Sequence, residues 1–198
     1  MIALACILAA ALIVGLARWA SRRRARALPQ GWIFGARVNG LNASMGMGER
    51  PTLTDGGFAF DFPPSGAGEV HAVTRDCIAL GDPLRVSWRV TASEVTPVEQ
   101  PDRPATVSIY LHEKGQDWSD PDARWYAPEA FPLIDGKHAR TIPLTGWRNV
   151  NGQRDDARFA RALRDIGRIG IAFGTADRRS HGVAGSGRFE LLALEGMR

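Results

Sequence analysis

The residues best suited to chemistry in this chain lie between Gly115 and Asn149. Gly115-Gln116-Asp117-Trp118-Ser119-Asp120 is followed by Arg124-Trp125-Tyr126, and Trp147-Arg148-Asn149 comes further on. Three indoles among Asp, Arg and Asn side chains are what a sugar-binding surface uses. Aromatic faces stack on the apolar face of a pyranose, and planar polar groups hydrogen-bond its hydroxyls. The candidate ligand-binding residues are Trp118, Trp125 and Trp147 as stacking surfaces, with Asp117, Arg124 and Asn149 as polar contacts. His181, in Ser180-His181-Gly182-Val183, is a candidate for the same rim. A plainer alternative has the tryptophans capping the open ends of the fold, each burying a large area.

Other chemistries find less support. Gly185-Ser186-Gly187 lacks the frame of a nucleophile elbow and leads into a strand-like run, so it reads as a turn. Gly46 and Gly48 lack the third glycine and the preceding strand of a dinucleotide loop. His71, His112, His138 and His181 are scattered, with no metal-binding spacing. No catalytic residue and no cofactor are therefore expected, and the chain reads as a binding protein rather than an enzyme.

The charge balance narrows the partner. The 198 residues carry a formal charge of +4, yet five arginines (Arg18, Arg22, Arg23, Arg24, Arg26) and no acid fall within residues 1–30. The remainder holds 20 basic and 21 acidic residues, a net of −1. The basicity belongs to the N-terminal segment, and the rest has no electrostatic case for nucleic acid. Cys6 and Cys77 make no disulfide framework.

Met1 to Ala17 is an unbroken apolar run. As a helix it would be about 26 Å long, near the ~30 Å of a hydrocarbon core. Trp19 falls where interfacial aromatics sit, and no basic residue precedes the run as in a secretory signal. Residues 1–20 are read as an uncleaved single-pass transmembrane anchor in a bacterial inner membrane, and residues 21–30 as a basic juxtamembrane linker. Arginines on the C-terminal flank place the following domain in the cytoplasm under the positive-inside rule, with the periplasm as the alternative.

Residues 31–198 then read as one domain. Gly31–Gly35 is an entry strand, and strand-like runs recur at Gly57–Phe62, Val70–Thr74, Leu84–Thr91, Thr106–His112, Ala139–Leu144, Arg168–Gly174 and Arg188–Leu194. Turn signals such as Pro63-Pro64-Ser65-Gly66 and Asp135-Gly136 separate them. Phe58, Phe60 and Phe62, then Leu84, Val86, Trp88 and Val90, then Val107, Ile109 and Leu111, each alternate with smaller or polar residues, predicting one core face and one wet face. Asp155–Ile166 instead places Phe159, Ala162, Leu163 and Ile166 at helical spacing, with acids in the first turn. In Arg168–Gly174 the small face of Gly170, Ala172 and Gly174 predicts close packing by that helix or a neighbouring segment. The fold expected is an all-β jelly-roll β-sandwich with one short helix, preceded by the N-terminal transmembrane helix.

The stretch from Phe58 to Leu194, with its Arg168–Gly174 run and terminal Gly187–Leu194 strand, resembles the galactose-binding-like jelly roll of many carbohydrate-binding modules. The chain is also similar to a group of bacterial membrane-anchored proteins of unassigned activity that carry G-x-D-W-S, R-W, W-x-x-V-x-G and H-G-V. Here these are Gly115–Ser119, Arg124-Trp125, Trp147–Gly152 and His181–Val183. The first resemblance implies a glycan or cell-envelope ligand and, in some members, a structural calcium ion. The closing strand offers only Glu190 and Glu195 without an Asp pair, which does not support calcium. The leading expectation is a membrane-tethered, non-catalytic glycan-binding module. The competing one is a scaffold domain whose outer sheet face (Arg85, Arg89, Tyr110, His112) meets a protein partner.

Overall fold

The alternation of Leu84, Val86, Trp88 and Val90 becomes the inward face of the longest strand among the described residues, and all four side chains are buried. The computed structural model describes residues 32–38, 41–43, 52–77, 79–116 and 120–197. The expected anchor and linker, Asp117 and Trp118 lie outside them, and no helix among the described residues is long and apolar enough to cross a membrane.

In chain order the strands are β1 (Trp32–Val38), β2 (Leu41–Ala43), β3 (Thr52–Thr54), β4 (Gly57–Asp61), β5 (Glu69–Asp76), β6 (Leu80–Pro97) and β7 (Thr106–Glu113). They continue with β8 (Arg124–Tyr126), β9 (Phe131–Pro132), β10 (Gly136–Ile142), β11 (Arg148–Asn149), β12 (Ile166–Gly174) and β13 (Val183–Met197). Among the described residues an α-helix, α1 (Asp156–Ala162), precedes β12. The described strand pairings are antiparallel. One half of the sheet runs β10-β6-β13-β4-β3. The other runs β2-β1-β5-β12-β7, with β8 and β9 on the far edge of β7 and β11 on β8. A single pair, Val183 with Val70, joins them.

The sheet curls so that the two halves face each other across one apolar core. Phe60 and Phe189 come from the first half, and Phe173 from the second. Their ring centroids stand 5.6 and 5.1 Å from Phe173, edge to face, the arrangement aromatic quadrupoles favour. On the side opposite the Val183–Val70 seam, Trp88 of β6 meets Phe131 of β9 at 5.6 Å, closing the core. The edge strand β10 helps to cover it, with His138 stacked on Trp88 and the Arg140 guanidinium over Phe131 at 5.3 Å.

The expected β-sandwich with a short helix is therefore what the chain forms, with three differences. First, α1 is shorter than its apolar spacing predicts. Asp155 caps it by accepting from the Arg158 amide at 2.8 Å. After Ala162 the amides of Arg164 and Asp165 bond back only three residues, so the last turn tightens and stops. Ile166 opens β12 and reaches the core as a strand residue. Second, Gly185-Ser186-Gly187 is not a turn but part of β13, where a bulge at Ser186/Gly187 keeps it paired to β6. Third, the face of β7 opposite the core is not wet. Ser108, Tyr110 and His112 are as buried as the core side of the same strand.

The small-residue face of β12 is closely packed, but not by the helix. A Cβ on Gly170 would collide with the backbone of Val73 on β5, and one on Gly174 with the carbonyl of Arg178 in the loop that follows. Glycine is required at both positions because another main chain occupies the space a side chain needs.

Candidate functional site

Trp125 and Trp147 do not form stacking surfaces. They are 1% and 0% exposed, which leaves no ring face for a sugar. β8 alternates Arg124 and Tyr126 outward with Trp125 inward, so Trp125 belongs to the core by strand parity. The two indoles hold α1: Phe159 lies against Trp147 at 5.2 Å and 14° between planes, and against Trp125 at 5.2 Å. Their ring nitrogens are satisfied internally. Trp125 Nε1 donates to Glu113 Oε1 and Trp147 Nε1 to Pro143 O, each at 2.9 Å. The plainer alternative, tryptophans capping the end of the sandwich, describes these two.

Asn149 is likewise a structural residue. Its Nδ2 donates to Asp122 Oδ1 at 3.0 Å and to Gln153 Oε1 at 3.2 Å, while its Oδ1 accepts from the amides of Asn151 and Gln153. It is 8% exposed and bound on both sides of its amide, so Asn149→Ala should cost about 1–3 kcal/mol. Urea denaturation will show this as a lower midpoint at unchanged slope, and a loss below about 0.5 kcal/mol would mean the loop is held by other means. His181 is half-exposed and pairs through Nδ1 with Glu99 Oε2 at 2.9 Å.

Arg124 is the exception among the expected contacts. It is half-buried on the outward face of β8, and its Nε has no hydrogen-bond partner among the described residues. The surface it belongs to is built by register, in rows across four strands. One row sets Asp76, Arg168, His112 and Arg124 side by side, the next Thr74, Gly170, Tyr110 and Tyr126, and a third Ala72, Ala172 and Ser108. β11 extends the second row with Arg148, paired to Tyr126. Tyr110 and Tyr126 are the chain's only two tyrosines, and their rings stand 5.3 Å apart. Both are buried, as are Thr74 and Ser108, and the Ser108 hydroxyl also has no partner among the described residues.

The loop after β12 folds towards this surface. Thr175 anchors it, its hydroxyl bonded to Gln100 Oε1 at 2.8 Å and to Asp177 Oδ1 at 2.9 Å. Arg179 donates to the carbonyl of Ala127 and, at 3.2 Å, to that of Pro128, with its guanidinium 5.9 Å from the centre of the Tyr126 ring. At the base of the loop His71 is held between Ser180 O at 3.0 Å and Glu69 Oε1 at 2.7 Å.

Burial sets the electrostatics. It pushes the Tyr110 hydroxyl far above the ordinary tyrosine range, Tyr126 adding to the effect and the Arg124 and Arg168 cations opposing it. Burial also pushes Tyr126 up, against the Ser180 side chain and the Arg124 and Arg179 cations. Arg179 is pushed down by burial, opposed by Tyr126 and reinforced by Arg148. Both phenols are therefore neutral hydrogen-bonding groups at physiological pH.

Sequence reasoning assigned Tyr110 and His112 to the same face as Arg85 and Arg89. The latter two project from β6 in the other half of the sheet, where Arg89 pairs with Glu190 at 3.2 Å. The proposed single outer face for a protein partner does not exist. Ser108, Tyr126, Arg168 and Arg179 were missed as site residues. The available signal was that Ser108, Tyr110 and His112 alternate with a core face, and that Arg124 and Tyr126 flank a buried tryptophan. Among the described residues no three His, Cys, Asp or Glu side chains converge as a metal site.

No protein-family model matches the chain, and no curated protein matches it in sequence. Among solved structures it is similar to a mutant of xylanase 10C from Cellvibrio japonicus in complex with xylopentaose, with 14% identity and a TM-score of 0.43 over 86% of this chain and 27% of that one. It is similar to the xylan-binding module CBM15, with 16% identity and a TM-score of 0.39 over 83% and 88%. It is also similar to the family 11 carbohydrate-binding module of a cellulosomal cellulase of Clostridium thermocellum, with 11% identity and a TM-score of 0.41 over 83% and 85%.

Proposed function

We propose that this chain is a non-catalytic glycan-binding module, tethered to a membrane through residues 1–20, and that its ligand engages the outer surface of the β5-β12-β7-β8 half-sheet. The observation that carries the reading is Arg124, a half-buried guanidinium on the outward face of β8 whose Nε has no partner among the described residues. An unsatisfied polar atom costs about 1–3 kcal/mol, which a polyhydroxylated ligand meeting that guanidinium would offset. Trp118 and Asp117, in the sequence joining β7 to β8, remain the candidate stacking face and polar contact. His181 bounds the loop end.

Isothermal titration of the full chain against soluble neutral and acidic polysaccharides tests this. Arg124→Gln and Trp118→Ala should each weaken binding about tenfold, with the unfolding midpoint of the Trp118 variant unchanged. If no polysaccharide binds the folded protein, or both variants bind as the parent does, the glycan reading is wrong.

A further inference from the structure

We infer that the end of the sandwich beside the Val183–Val70 seam carries a second ligand site, which takes one neutral, polyhydroxylated ring. It is a hollow of about 400 Å³ whose lining includes Ser65, Gly68, Glu69, Thr96, Val98 and Pro101. That volume falls within the roughly 300–1,000 Å³ of small-molecule sites. No residue from the rows of the outer surface lines it, so it stands apart from the proposed polysaccharide face.

Four features that folding alone does not require meet around its carboxylate. His71 is the extra residue of a β-bulge, because Gly35 pairs with Ala72 and Ala36 with Val70. Glu69 is 6% exposed, a burial that carboxylates reach only when partnered. Its Oε1 stands 2.7 Å from His71 Nε2, and His71 Nδ1 stands 3.0 Å from Ser180 O. Ser180 has φ 61°, left-handed backbone that residues with a Cβ seldom adopt. Gly182, at φ 93°, packs so closely on Glu69 that a Cβ there would stand 3.2 Å from its Cβ and Cδ. The surrounding walls are pinned as well. The Gly185 amide donates to Pro63 O at 2.8 Å and the Val98 amide to Gly182 O at 3.2 Å, so the hollow is pre-formed.

The lining selects the ligand. A carbonyl oxygen only accepts, so the proton between Ser180 O and His71 lies on Nδ1. A second proton must lie between Nε2 and Glu69, and the two side chains together carry no net charge. A free cation therefore finds a carboxylate whose charge is already matched. Among the described residues no arginine or lysine lines the hollow to balance an anion, and no aromatic ring lines it to stack a nucleobase. The groups that do line it are a carboxylate able to accept several hydrogen bonds, the Ser65 and Thr96 hydroxyls, and the aliphatic Val98 and Pro101. Val98 is 45% exposed, an apolar wall within a ligand's reach. A sugar or cyclitol ring matches that set, with hydroxyls on its edge and C–H groups on its faces.

The test is saturation-transfer NMR on the full chain with D-glucose, D-xylose, myo-inositol and, as a cation control, tetramethylammonium. At least one neutral ring should bind, and tetramethylammonium should not. Glu69→Gln removes the charged acceptor, and Ser65→Phe fills the hollow from its rim; each should weaken ring binding about tenfold. Ser65 is exposed, so its variant keeps the test open even where Glu69→Gln unfolds. Cellotetraose binding as tightly as glucose assigns the site to chain ends, and weaker binding assigns it to free rings. Ser65→Phe should leave polysaccharide binding at the outer surface within about twofold, so the two sites succeed or fail separately. Failure of every neutral ring to bind, equal binding of tetramethylammonium, or unchanged binding by Ser65→Phe overturns the inference.

Discussion

Above pH ~10 the protein loses stability at about 1.4 kcal/mol per pH unit for each of its two tyrosines, and no tyrosinate forms before the fold opens. Tyr110 and Tyr126 are 1% and 2% exposed, and burial raises the pKa of both well above the ordinary tyrosine value of about 10. An unfolded chain releases these protons near that value while the folded chain keeps them, so beyond it the unfolded state binds fewer protons and gains stability. A raised pKa makes a contribution that is fully present below the unfolded value and is lost as pH rises towards the folded one. Over the first two pH units Tyr110 forfeits roughly 3 kcal/mol and Tyr126 adds to the loss in the same direction, a large part of the 5–15 kcal/mol that holds an ordinary domain together. Urea midpoints measured from neutral to alkaline pH should fall on this slope, and Tyr126→Phe should remove about half of it. Tyrosinate absorbance should appear in one cooperative step with the loss of circular dichroism. A gradual rise near pH 10 with the native signal intact would show that the rings are open to solvent.

Trp147→Ala should be the most damaging single truncation of the aromatic end, costing about 3–5 kcal/mol. Trp147 is fully buried, stacks on Phe159 and donates to Pro143 O, so its removal leaves a large cavity, an orphaned carbonyl and α1 without its seat. Trp147→Phe keeps part of the stacking but not the hydrogen bond and should fall between. Chemical denaturation measures both. A Trp147→Ala midpoint within about 1 kcal/mol of the parent would refute the packing account. The pair also separates two roles that look alike in sequence. A buried tryptophan lowers ligand binding only by unfolding the protein, whereas Trp118→Ala should lower binding at constant stability.

How much of this was legible in the sequence depended on whether parity alone decides a residue's environment. It did for Phe58, Phe60 and Phe62, for Leu84 to Val90 and for Val107 to Leu111, where one face had to be core. It failed for the opposite face of β7, because parity says only which side Ser108, Tyr110 and His112 share. What covers that side comes from segments distant in sequence, including the loop that carries Arg179. Trp125 illustrates the same limit from the other direction. Its neighbours Arg124 and Tyr126 made it look like part of a binding loop, whereas a three-residue strand places it inward and them outward. Ile166 continued a helical spacing by coincidence and was claimed by β12, since a short helix yields to a core strand that buries more apolar area. The rows of the candidate site depend on cross-strand register among β5, β12, β7 and β8, which local sequence does not encode.

The position of β13 has a consequence for how the chain is made. This strand lies between β6 and β4 and carries the single pair that closes the seam to β5, yet it is the last element of the domain to leave the ribosome. Until Val183–Met197 emerges, β6 and β4 have no neighbour on their facing edges, and Phe58 and Phe60 lack Phe189 against them. Synthesis at about 5–20 residues per second leaves that apolar surface uncovered for seconds. The β6 and β4 edges and their phenylalanines can be covered only when the final strand arrives.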